Sequence, residues 1–146
     1  MSDFRKLSES VIASPQLTPS DIDSARKLGV RMVVNNRPDG EAEDQTPGAE
    51  IEQAARAAGM DYVAIPIGHG GFGEEQVRAM TLALAKAQGS VLAYCRTGTR
   101  STLLWALAQA AGGADTDEVA AAAAAAGYDV APVRPAMDML AARARG

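Results

Sequence analysis

The chain has 146 residues, 47% of them apolar and 22% charged, which suits one globular domain and is too short for two full cores. A formal net charge of −4 argues against general nucleic-acid binding, which needs a basic face. One cysteine excludes an internal disulfide, "MSDFRKLSES" lacks the apolar core of a signal peptide, and no run nears the ~20 apolar residues of a membrane span, so a cytoplasmic protein is expected.

"VIAS" near the start reads as a short strand. In "QLTPSDIDSARKLGVRMVVNNRPDG" a helix follows, with Thr18 as N-cap, Pro19 in the first turn and Asp21 completing a capping box. Gly29 closes it in a left-handed cap, and "VRMVVNN" is a β-branched strand ending at Asn35 and Asn36. The pattern recurs with Thr46 as cap, Pro47 in the first turn, Gly59 as stop and the strand "DYVAIPI". A third helix, about Glu74 to Ala87, ends near Gly89 and feeds the strand "SVLAY". Helices are then predicted over 101–111, 116–126 and 135–144. The alanine run at 120–126 is helical by propensity, with Asp115 or Thr116 as cap. Helix and strand alternate three times, which predicts a single three-layer α/β domain over 1–146, its mainly parallel sheet covered by helices on both faces.

The sole cysteine sits where a strand should end and a helix begin, in "YCRTGTRSTLLW". Ligands of open α/β sheets bind beyond the carboxyl ends of strands. Free N–H groups of a tight loop and of the next helix point at one spot there, and the helix dipole adds partial positive charge. Arg96 and Arg100 add two full charges. Such surroundings favour a thiolate and hold an anion beside it. Gly98 is expected to supply either a positive φ or the lack of a side chain that so tight a loop needs, with Thr97, Thr99 and Ser101 completing the substrate-binding loop. Ser101 and Thr102 either bond the thiolate or cap the helix. A Walker-type loop is excluded because its Gly-Lys pair is absent. One His and one Cys fall short of a zinc ligand set, so no metal or organic cofactor is expected.

"YCRTGTRS", with "NNRPDGE", "YVAIPI" and "GYDVAPVRP", resembles the phosphatase-like domain of the beta-lactamase hydrolase-like proteins, also called DUF442, over about residues 8–135. The resemblance implies a dual-specificity-phosphatase-like fold. It also implies a possible partner, since the family occurs alone or joined to a metallo-β-lactamase-type domain linked to sulfide detoxification.

Two chemistries use such a cradle. Cysteine phosphatases carry Cys-x5-Arg, whereas Cys95 and Arg100 are separated by four residues, similar to the rhodanese pattern. A shorter ring of amides suits one terminal sulfur better than three phosphoryl oxygens. Phosphate ester cleavage also benefits from a general acid. Where dual-specificity phosphatases place that aspartate, this chain has His69, and no Asp lies between Asp61 and Cys95. Sulfite leaving thiosulfate needs little protonation. The expected function is therefore a rhodanese-like sulfurtransferase working through a Cys95 persulfide. Arg100 and the loop amides hold the charged sulfur, Arg96 attracts the donor, and a thiol such as glutathione accepts. The alternatives are a phosphatase with a phosphocysteine and His69 as acid, or a non-catalytic persulfide or redox sensor or accessory domain to a metallo-β-lactamase-type hydrolase. Arg37 is a candidate to meet the anion, Asn35 or Asn36 to bond the cysteine loop, and Trp105 to pack in the core or at the rim.

Overall fold

The computed structural model describes residues 2–146. Five strands form one sheet in the order β1-β2-β5-β3-β4. They are β1 (Arg5–Lys6), β2 (Val11–Ser14), β3 (Val30–Asn35), β4 (Asp61–Ala64) and β5 (Ser90–Tyr94). All neighbours run parallel except β1, a two-residue antiparallel edge. Strand β1 is not legible in the sequence, because its Arg-Lys pair carries no strand signal; charged residues suit an exposed edge.

Helices α1 (Pro19–Lys27), α2 (Gly48–Ala57) and α3 (Glu74–Lys86) make the crossovers. After β5 come α4 (Thr99–Ala111), α5 (Thr116–Ala125), a 3-10 turn over Ala131–Val133 and α6 (Arg134–Arg145). On one face Leu17, Ile22, Ile51 and Ala55 form a core with Val33, Leu92 and Tyr94. On the other, Met80, Leu104, Leu107, Ala123 and Met137 pack with Val34 and Ala93. The three-layer, mainly parallel α/β expectation is met.

At α1 the carboxylate of Asp21 accepts from the Thr18 N–H at 2.8 Å, as the capping pattern predicts. At α2 the expectation fails. Pro47, not Thr46, occupies the cap, because Asp39 reaches across from the preceding loop and accepts the Gly48 N–H at 2.8 Å. Strand β4 is shorter than "DYVAIPI", yet Ile65 and Ile67 still donate to the carbonyls of Asn35 and Asn36, both at 2.9 Å. Pro66 between them has no N–H to give. Helix α4 starts two residues earlier than predicted and is buried on nearly every side, gripped by α3, α5 and α6. Trp105 lies in that buried stretch, as core rather than rim.

Candidate active site

Strand β5 delivers Cys95, fully buried, at the carboxyl end of the sheet. The chain then turns through Arg96, Thr97 and Gly98 into α4. Gly98 has φ of +90° and donates its N–H to the Cys95 Sγ at 3.2 Å. A Cβ there would sit 2.2 Å from the Tyr128 hydroxyl, so space as well as backbone conformation demands glycine.

The loop's carbonyls are all engaged by protein. That of Arg96 accepts the Gln16 N–H at 3.2 Å, and that of Thr97 the Tyr128 hydroxyl at 3.1 Å. That of Gly98 accepts both the N–H and the hydroxyl of Thr102, at 3.0 and 2.9 Å. Among the described residues, the N–H groups of Arg96, Thr97, Arg100 and Ser101 have no protein acceptor. With its carbonyls tied back and these donors free at a helix N-terminus, the loop favours an anion.

Asn36, the first residue past β3, braces the loop. Its Oδ1 accepts the Ser101 hydroxyl at 2.8 Å, its Nδ2 donates to the Ile65 carbonyl at 2.9 Å, and its N–H donates to the Tyr94 carbonyl at 2.8 Å. Ser101 therefore neither bonds the sulfur nor caps α4; it ties the helix to the neighbouring strand. Thr102 likewise spends its hydroxyl on Gly98. Asn35 does not reach the loop: it donates to the Tyr62 hydroxyl and accepts the Arg37 N–H, both at 2.9 Å. The hydroxyls of Thr97 and Thr99 pair with each other at 3.0 Å on the exposed side.

The arginines differ from expectation. Arg100 donates from Nη1 and Nη2 to the two carboxylate oxygens of Glu41, at 2.7 and 2.9 Å, and from Nη1 to the Ile67 carbonyl at 2.8 Å. Arg37 is buried and donates to the same carboxylate at 3.0 Å and to the Gln16 side chain at 3.0 Å. It therefore does not face solvent to meet a substrate, and braces Glu41 instead. The paired carboxylate raises the affinity of Arg100 for its proton, with the nearby Cys95 sulfur adding to the effect. In return the Arg100 hydrogen bonds, backed by Arg37, outweigh partial burial and hold Glu41 at about 2.

This pair forms one wall of a cleft of about 660 Å³, whose other walls include Pro38, Ile67, His69 and Arg96. His69 and Arg96 are exposed. The structure thus brings His69, Arg96 and Arg100 to one cleft, whereas Cys95 is fully buried near Arg100 and is not among the residues lining it. No group of three or more His, Cys, Asp or Glu side chains able to hold a metal occurs among the described residues. Glu41, Gln16 and Tyr128 are not singled out by the sequence; Glu41 and Tyr128 lie only within the wider stretches "NNRPDGE" and "GYDVAPVRP", and Glu41 is one of several nearby acids with Asp39, Glu43 and Asp44.

The sequence model of the phosphatase-like domain of beta-lactamase hydrolase-like proteins matches residues 3–112. A beta-lactamase hydrolase-like protein of Xylella fastidiosa is 36% identical over 126 residues, which are 85% of this chain and 29% of that protein. The chain thus spans under a third of the length of this curated relative. A candidate phosphatase from Neisseria meningitidis is 36% identical, with a TM-score of 0.82 over 94% of this chain and 98% of its own. PTPMT1, at 14% identity, shares the fold alone, with a TM-score of 0.74 over 97% of this chain and 98% of its own. The sequence match, the shared fold and the cysteine loop agree: the chain belongs to the phosphatase-like domain family of the beta-lactamase hydrolase-like proteins.

Proposed function

We propose that the chain is a cysteine-dependent, rhodanese-like sulfurtransferase. The Cys95 thiolate attacks the outer sulfur of thiosulfate or a similar persulfide donor. The donor's S–S bond breaks, sulfite leaves with the electron pair, and Cys95 becomes a persulfide. A thiolate such as that of glutathione then attacks the terminal sulfur and restores Cys95. The free loop N–H groups hold the transferred sulfur, and Arg96 at the cleft mouth draws in the anionic donor.

The observation that carries this reading is the state of Glu41. Both of its oxygens are committed to Arg100, with Arg37 on one of them, so this carboxylate of the cleft wall is tied into an ion pair and is not free to donate a proton. A leaving group that needs protonation gets no help from it, whereas sulfite needs little. The four-residue spacing from Cys95 to Arg100 points the same way.

A second reading, hydrolysis of phosphate monoesters through a phosphocysteine, is favoured by the comparisons. The family is described as phosphatase-like, and the Neisseria relative as a candidate phosphatase. In that reading His69, on the cleft wall, donates the proton. Either enzyme can serve a separate metallo-β-lactamase-type hydrolase as partner, and a persulfide sensor is the non-catalytic rival.

Parallel assays with thiosulfate plus cyanide and with an aryl phosphate, on wild type and Cys95→Ser, separate the readings. Thiocyanate lost in the variant supports sulfur transfer. Phosphate release without thiocyanate supports the second reading, and neither product supports the sensor.

A further inference from the structure

We propose that Tyr128 is a positioning residue for the cysteine loop, orienting the Thr97–Gly98 peptide and, through it, the hydrogen bond onto the Cys95 sulfur. The proposal rests on Cys95 being the reactive group, and not on which group it carries.

One peptide plane carries both contacts. No peptide bond among the described residues is cis, so the Thr97 carbonyl and the Gly98 N–H point in opposite directions. The Tyr128 hydroxyl donates to that carbonyl at 3.1 Å on one side, and the Gly98 N–H donates to Sγ at 3.2 Å on the other. Fixing the carbonyl fixes the donor. A flip of this plane would turn a carbonyl oxygen towards the sulfur, the wrong dipole for a thiolate or for a bound anion. The glycine's lack of a Cβ makes such a flip cheap, and its φ of +90° shows that the backbone here is held in a region other residues avoid.

The tyrosine is itself firmly placed. Helix α5 ends in a left-handed Gly127, φ +94°, and the Tyr128 N–H returns to the Ala123 carbonyl at 2.9 Å. Arg5 of the edge strand lies over the ring, 5.4 Å from its centroid, and donates to the Ala126 carbonyl at 3.1 Å. Burial raises the phenol above its ordinary value, so the hydroxyl remains a donor at neutral pH. The short edge strand and the α5 terminus, neither of which lines the cleft, therefore act together on the loop from behind.

Tyr128→Phe keeps the ring and the Arg5 contact and removes only the hydroxyl. Losing one such bond is expected to slow alkylation of Cys95 by iodoacetamide at neutral pH about five- to tenfold. Hydrogen exchange of the Gly98 amide, followed by NMR, should quicken by a similar factor while core amides of β3 keep their rates. Alkylation and Gly98 exchange both equal to wild type overturn the proposal. So does faster exchange at all amides together with a lower unfolding temperature, which marks a purely structural role. If Tyr128→Phe does not fold, Arg5→Met loosens the ring and leaves the hydroxyl in place. A smaller, Gly98-confined increase in exchange then supports the proposal, and none contradicts it. Neither readout needs turnover, so the positioning role can stand even if both assays for the proposed function come back empty.

Discussion

The two ends of the molecule spend their burial differently. At the carboxyl ends of the strands, Ser14, Asn35, Asn36, Arg37, Ser101 and Thr102 are buried polar side chains. In the layer formed by α5 and α6, burial falls on Val119, Ala123, Met137 and Ala141, with nothing polar among them. A buried polar group costs free energy unless it is bonded, so a cluster of bonded ones at one end marks where geometry matters more than cohesion. Apart from the contact that Tyr128, just past α5, makes with the loop, this far layer only has to fill space. Substitution at the cysteine end should therefore disturb both stability and chemistry, and substitution at these four apolar positions stability alone.

The largest effect is expected from Cys95→Ser, which should reduce turnover in either assay to background while circular dichroism shows a folded chain. Met137→Ala, at the centre of the far layer, should cost about 2–5 kcal/mol in urea unfolding yet leave the turnover of the folded protein near wild type. Asn36→Leu strips partners from Ser101 and from the Ile65 carbonyl. A loss of about 1–3 kcal/mol with a clear fall in turnover is expected. Equal turnover in the Asn36 and Met137 variants would erase the contrast between the two ends.

Glu41 offers a test by pH. Its carboxyl is held at about 2, against an ordinary 4.5. Its contribution to stability is therefore complete above 4.5, and is lost as the pH falls from there towards 2. Glu41→Gln should flatten that limb of an acid-unfolding curve and change little of its shape at neutral pH. The smallest effect is expected from Ala121→Ser, on the exposed side of α5, within about 0.5 kcal/mol of wild type.

Much of this architecture was legible because it is local. The alternation of capped helices and β-branched strands foretold the parallel sheet, and "CRTGTRS" marked the strand-to-helix turn with its glycine. What escaped is long-range. Glu41 meets Arg100 across 59 residues, and Tyr128 meets Thr97 across 31, separations over which no periodicity speaks. Arg37 read as a substrate contact because a loop arginine ordinarily faces water, whereas here Glu41 and Gln16 draw it inward. Thr46 read as a cap for the same reason: the competing acceptor, Asp39, lies outside the helix's own neighbourhood.

Deposition of sulfur on Cys95 is the event that distinguishes this chemistry from phosphoryl transfer. Intact-mass analysis after thiosulfate treatment tests that directly, since the chain has one cysteine. A gain of one sulfur atom on the wild type, absent from Cys95→Ser and reversed by glutathione, is the predicted result. An unchanged wild-type mass, with phosphate released from an aryl phosphate by the same sample, would contradict it.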